Sequence, residues 1–122
     1  MPQPSDARQR GALIEQLAAR WLMTQGLVLV ASNQHAKGGE LDLVMYDGDI
    51  LVFVEVRHRA NNRFGHPLET ITPLKQRRLI RAARFYLHHN GLSCPCRFDV
   101  IAATGPPEQL HFEWIANAFE AC

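Results

Sequence analysis

The 122-residue sequence has little of what marks a membrane-bound or secreted protein. No apolar run approaches the ~20 residues needed to span a bilayer. Met1–Arg10 has no apolar segment of the signal-peptide kind. These absences set the expectation of a cytoplasmic protein with no membrane partner. Cysteine is scarce and odd in number: Cys94 and Cys96 flank Pro95, and Cys122 is the last residue. That spacing fits neither a C-x-x-C redox pair nor a four-ligand zinc set, so reduced thiols are expected. There is no glycine-rich phosphate loop, no nucleophile elbow and no Ser/His/Asp arrangement. Acid is nearly missing from one segment: from Arg57 to Arg84 stand Arg57, Arg59, Arg63, Lys75, Arg77, Arg78, Arg81 and Arg84, with Glu69 as the sole acid. The net charge of +1 calls for no polyanion partner, but a local basic zone points weakly to phosphate, a solvated helix face being its commoner meaning.

What is present is an ordinary globular composition, 47% hydrophobic and 20% charged, in a chain sized for one domain over residues 1–122. Residues 1–6 are expected to be flexible. Ser5 or Asp6 caps a predicted helix over Ala7–Gln25, whose stripe is Ile14, Leu17, Ala18, Trp21 and Leu22. Leu27–Ser32 reads as a strand and Gln34–Gly39 as a loop. Glu40–Tyr46 and Ile50–Arg57 read as a hairpin around Asp47-Gly48. A polar loop, Arg59–Glu69, precedes a second helix opened by Thr72-Pro73 and closed by Asn90-Gly91. Its apolar stripe is Leu79, Ala83, Tyr86 and Leu87, and Arg77, Arg81, Arg84 and His88 form a basic one. Arg97–Ala103 and Gln109–Ile115 follow as strands, with a short terminal helix over Ala116–Ala121. The order is αβββαββ: an α/β fold with a mixed central sheet, flanking helices and a crossover through the second helix.

The hairpin places acids in an apolar setting. If Asp47-Gly48 is the turn, Tyr46 pairs with Asp49, Glu40 faces Glu55 and Asp42 faces Phe53. Leu41, Leu43, Met45, Ile50, Val52, Val54 and Val56 then share one face, and Glu40, Asp42, Glu55 and Arg57 share the other. Carboxylates facing one another across a ladder repel, and a divalent cation neutralises them. Diagonal neighbours roughly 7–8 Å apart can converge on an ion at about 2.0–2.1 Å, with Asp42 and Glu55 the best pair. Arg57 can hold a phosphate beside that ion. The alternative is a structural network in which Arg57 and Glu40 pair with the other acids at the sheet edge. Glu15 lies at the border of the first helix's apolar stripe; it becomes a third or supporting carboxylate if that helix covers the acidic face, and is otherwise an exposed flank glutamate. His88 and His89 point about 100° apart on a helix and are expected on the surface. Asp99 is expected to pair with Arg97, and Trp21, Phe112 and Trp114 to be core.

Gly11-x-x-x-Glu15-x-x-Ala18, Gly38 to Val44, Asp47-Gly48, Leu51 to Arg57 with Arg59, Thr72, Lys75-Gln76 and Arg97 to Val100 together resemble the YraN-like uncharacterised protein family, from Arg10 to Phe119. That family is similar to the PD-(D/E)XK, or restriction-endonuclease-like, superfamily and to archaeal Holliday-junction resolvases. The resemblance implies a restriction-endonuclease-like core with Asp42 as the motif aspartate, Glu55 as the second acid, Arg57 in the lysine's place and Glu15 as the helix-one glutamate. It also implies Mg²⁺ and branched DNA, met by a homodimer. Leu41 stands where the motif has proline. Arginine at 57 cannot act as a base and can only position phosphate and stabilise charge.

The expected activity is that of a metal-dependent endonuclease, an Mg²⁺- or Mn²⁺-requiring phosphodiesterase acting on branched or damaged DNA. Asp42, Glu55 and the Val56 carbonyl hold the metal, Glu15 and Arg57 complete the catalytic set, and Glu40 supports it. Arg59, Lys75, Arg77, Arg81 and Arg84 bind nucleic acid. Two rival readings stay open: a nucleic-acid-binding module of the same fold without chemistry, and an interaction protein whose acids form a structural network.

Overall fold

A computed structural model of the protein describes residues 6–120 apart from positions 62, 64 and 66. Of residues 1–6, expected to be flexible, Asp6 belongs to α1; residues 1–5, Ser5 as a cap and Cys122 lie outside the described residues. The elements are α1 (Asp6–Thr24), β1 (Val28–Ala36), β2 (Gly39–Asp47), β3 (Ile50–Arg59), α2 (Pro73–His89), β4 (Cys96–Thr104) and β5 (His111–Phe119). Short 3-10 turns at Pro67–Thr70 and Pro107–Gln109 interrupt the loops. The αβββαββ order read from the sequence is therefore the observed one. Among the described residues no helix is long and apolar enough to cross a membrane.

Each helix forms for local reasons and is held by one apolar face. In α1, Ile14, Ala18, Ala19 and Leu22 are buried. The helix ends with Gly26 N donating to Met23 O and Leu27 N to Leu22 O, which takes up its last carbonyls. In α2, Thr72 caps the N-terminus by accepting from Lys75 N at 3.2 Å, with Pro73 in the first turn where no amide hydrogen is needed. Leu79, Ala82, Ala83 and Tyr86 are its buried residues.

The five strands run in the order β1-β2-β3-β4-β5. All neighbours are antiparallel except β3 and β4, which the α2 crossover makes parallel. One helix covers each face. Ala18, Ala19 and Leu22 of α1 pack on Leu43, Met45, Val52, Val54 and Ile101. Leu79, Ala82, Ala83 and Tyr86 of α2 pack on Val44, Leu51, Phe53, Phe98 and Val100. Phe53 anchors the second layer, stacked on Phe98 at 5.4 Å and edge-on to Tyr86 at 6.0 Å. Truncating such a ring costs about 3–5 kcal/mol. Trp21 stacks on Phe112 at 5.5 Å and meets Trp114 edge-on; all three are partly buried and pack against the α1-side core rather than forming part of it.

The structure corrects several sequence expectations. The hairpin register is shifted by two residues: Tyr46 meets Leu51, not Asp49, and Asp47 pairs with Ile50. The loop is Gly48-Asp49, with Gly48 at φ 59, the glycine-first form of a two-residue hairpin. Asp47 stays in the strand because Arg97 Nη2 grips its carboxylate at 2.9 Å. A shift of two preserves the faces, but it removes the expected Glu40–Glu55 and Asp42–Phe53 pairings. The stretch Gln34–Gly39 is mostly strand, with the turn confined to Lys37-Gly38. Gly38 sits at φ 101, and a Cβ there would come within 2.6 Å of Arg81 Cδ, so this turn packs directly on α2.

The terminal helix over Ala116–Ala121 is absent across its described part, since β5 continues to Phe119. The register shift between Phe98↔Phe119 and Val100↔Ile115 leaves a bulge in β5. Asn117 turns there to φ 52 and its amide donates to Asp99 Oδ1 at 2.9 Å. Asp99, fully buried, also accepts from Arg97 Nε at 3.0 Å and Trp114 Nε1 at 2.9 Å, a satisfied version of the pair expected from sequence. Cys94 is free but Cys96 is disulfide-bonded, so the expectation of reduced thiols fails at Cys96.

Candidate active site

The ladder between β2 and β3 ends at Leu43↔Val54. One step further Val56 N donates not to a backbone carbonyl but to Asp42 Oδ2, at 3.0 Å. On the other side of β2 the pairs run Ser32↔Leu43 and then Gln34↔Leu41, which puts Asn33, at φ 52, across from Asp42. Both ladders are thus disturbed at Asp42. The consequence is a break in alternation: Leu43 packs toward α1, whereas Leu41 joins the α2 layer. The expectation that Leu41 shares the α1-facing side with Leu43 and Met45 is corrected here.

That break allows acids from three elements to approach one another. Of the two alternatives left open for α1, it covers the wholly apolar face rather than the acidic one, yet Glu15 still reaches Asp42 because Asp42 has left the regular pleat. Burial pushes the Glu15 carboxyl up to about 7; the Asp42 charge adds to the rise, and a hydrogen bond with Asn33 opposes it. Glu55, on β3, is buried. Its carboxyl is pushed up to about 8 by burial and then by its hydrogen bond with Asp42 and that residue's charge, with Arg57 and Lys75 pulling the other way. Both shifts share one physical cause: carboxylates with too little water and too little positive charge.

Two buried polar atoms in this place, Glu55 Oε2 and Arg57 Nε, find no hydrogen-bond partner among the described residues. Lys75 Nζ stands 4.0 Å from Glu55 Oε2, near enough for an ion pair and too far for a hydrogen bond. An orphaned carboxylate oxygen beside a second carboxylate is the donor set a hard cation takes, so the residues fit Mg²⁺ or Mn²⁺. Among the described residues, however, no group of three or more His, Cys, Asp or Glu is arranged to hold a metal. The carboxylates brought together are Asp42 and Glu55, enough only for an ion that keeps several of its waters.

Of the other candidates, Glu40 is exposed and lines the same cleft as Asp42 and Glu15. Arg77, Arg81 and Arg84 are exposed along α2, and Arg59 is half-buried at the end of β3. Lys75 comes within 4.0 Å of Glu55, a proximity set by how α2 docks and invisible in the spacing of its own helix. Asn33, missed in the sequence, is signalled only by its place opposite Asp42 once the β1 register is known. His88 and His89 are exposed, as expected.

Residues 14–103 match the uncharacterised protein family UPF0102. The chain is 63% identical over 117 residues to a UPF0102 protein of Chromohalobacter salexigens, covering 96% of this chain and 95% of that one. It is 48% identical over 120 residues to a UPF0102 protein of Xanthomonas axonopodis pv. citri, covering 97% of each. With a UPF0102 protein of Nitrosococcus oceani it shares 44% identity over 118 residues, 95% of each.

Proposed function

The chain belongs to the uncharacterised protein family UPF0102, and from the site it carries we propose a metal-dependent phosphodiesterase of PD-(D/E)XK type, an endonuclease acting on branched or damaged DNA. The observation that supports this reading is the buried, unpartnered Glu55 Oε2 next to a carboxylate, Asp42, that is fixed in place by the Val56 amide. Asp42, Glu55 and the Val56 carbonyl would hold Mg²⁺ or Mn²⁺. Such an ion supplies a bound water of lowered pKa and charge neutralisation at the scissile phosphate. Glu15, with its pKa near neutrality, accepts or steadies a proton on the attacking water. Arg57 turns its unpartnered guanidinium edge to a phosphate oxygen as negative charge builds. Lys75 supplies part of the countercharge to Glu55. The exposed arginines of α2 hold backbone phosphates, and a homodimer would bring two such sites to one branched substrate.

The test is cleavage of end-labelled single-stranded, duplex and four-way oligonucleotides by purified protein with Mg²⁺ or Mn²⁺. Asp42→Asn keeps an acceptor for the Val56 amide and removes the charge, so it should fold normally and lose activity by about 100-fold or more. Equal residual cleavage by variant and wild type would mean a contaminant and end the proposal.

A second reading, a DNA-binding module without chemistry, draws on the lack of a three-residue metal group among the described residues and on arginine at 57. It requires binding that ignores metal and Glu55→Gln but disappears when Arg77, Arg81 and Arg84 are replaced together.

A further inference from the structure

Two open spaces meet on the face of α1 that carries Glu15. A cavity of about 600 Å³ is bounded by Arg8, Gly11, Glu15, Asn33, His35 and Asp42. A smaller one, of about 260 Å³, lies toward Arg10, Val56 and His58. Gly11 borders both. A Cβ built on Gly11 meets nothing within 4 Å, and its backbone is not in the left-handed region. Neither packing nor geometry therefore asks for glycine inside this 19-residue helix, where it costs about 1 kcal/mol relative to alanine. A side chain at position 11 would project into open space where the two cavities share a border.

The chemistry of the larger cavity is mixed. Three carboxylates, Glu15, Glu40 and Asp42, line it together with Arg8, Asn33 and His35. Guanidinium and imidazole planes are surfaces on which an unstacked base lies, and an amide can pair with its edge. The volume falls within the roughly 300–1,000 Å³ that encloses a ligand of drug size, which is the size of one nucleotide. A stacked duplex offers no base able to enter; a nucleotide must leave the stack first, which is easiest where it is already unpaired.

Resting on the phosphodiesterase reading, the geometry points to the larger cavity as the seat of one unpaired nucleotide beside the scissile phosphate, with Gly11 left bare so that the sugar–phosphate chain crosses α1 toward Val56. The substrate class is then nucleic acid that is single-stranded or locally opened at the site of cutting.

The experiment compares wild type, Gly11→Ala, Gly11→Leu and, as a control on the exposed flank of α1, Gln16→Leu. Thermal unfolding and fluorescence anisotropy with a labelled single-stranded oligodeoxynucleotide and its blunt duplex are read without divalent metal at about 50 mM salt. Wild type should bind the single strand at least tenfold more tightly than the duplex. Gly11→Leu should lose at least tenfold of that affinity at an undiminished Tm, Gly11→Ala should lose less while gaining Tm, and Gln16→Leu should match wild type. If leucine prevents folding, Gly11→Ala and Arg8→Ala give the same readout. Unchanged binding by the folded position-11 variants, or a preference for duplex, overturns the nucleotide seat and leaves the phosphodiesterase standing if wild type cuts. Binding that is sensitive to position 11 without any metal-dependent cutting overturns the chemistry and keeps the seat. Wild type that binds neither form overturns both.

Discussion

Glu55 and Glu15 are kept in a condition that stabilises the fold only while they are protonated. Their folded pKa values, about 8 and about 7, lie above the ordinary 4.5, so the folded state holds protons that the unfolded chain has released. The stability they contribute is fully present below about pH 4.5 and is lost as pH rises through 7 and 8. In metal-free buffer Tm should therefore fall between pH 5 and 8.5, and Glu55→Gln should flatten that decline and raise Tm at the alkaline end. A calorimetric titration at several pH values gives the complement: Mn²⁺ must displace the Glu55 proton, so its apparent affinity should rise with pH up to about 8. Alternation put Asp42 and Glu55 on one face in spite of the wrong register, because a shift of two residues keeps strand parity, although Leu41 changed face. The break in alternation at Asp42 was not legible. It depends on a side chain replacing a ladder carbonyl and on Asn33 in a different strand, neither of which leaves a periodic signal.

At the scale of elements, α2 presents an exposed basic stripe and the β4–β5 pair a buried ion-pair network. Arg77, Arg81 and Arg84 are exposed and only the Arg81 stem packs on the Gly38 turn, so replacing all three with alanine should lower Tm only slightly. DNA affinity should fall, and the slope of log affinity against log salt should shrink by about 2–3. The other pair is structural. Asp99 receives Arg97, Trp114 and the Asn117 amide in full burial. Asp99→Ala leaves those donors unmatched and should cost about 3–5 kcal/mol in urea unfolding, with little effect on any metal affinity of the folded fraction. Periodicity and capping revealed α2 nearly to its ends, because Thr72, Pro73 and Asn90 act locally. Ala116 to Ala118 misled because their small side chains favour a helix, while the bulge that claims them is dictated by an aspartate on the neighbouring strand.

For the whole molecule, the sheet order leaves β1 as an edge. Val28, Leu29 and Val30 on it are 62%, 40% and 44% exposed, on a strand with no lysine, acid or proline to blunt it. Wild type should therefore show concentration-dependent association in sedimentation experiments, and Val30→Lys should abolish it while leaving any cleavage per folded molecule intact. Architecture was the most legible level: Asp-Gly between two apolar runs and a capped helix before a further strand admit few arrangements other than a hairpin followed by a right-handed crossover.

As the Asn117 amide is tied to Asp99 on the far side of the sheet, so the amide of Val56 is tied to the Asp42 carboxylate. In a nitrogen–proton correlation spectrum its resonance becomes a built-in gauge of the charge on Asp42. It should move on adding Mg²⁺ and with pH as Glu55 ionises, and slow solvent exchange there should vanish in Asp42→Ala, so that the state of the centre can be followed in solution without any substrate.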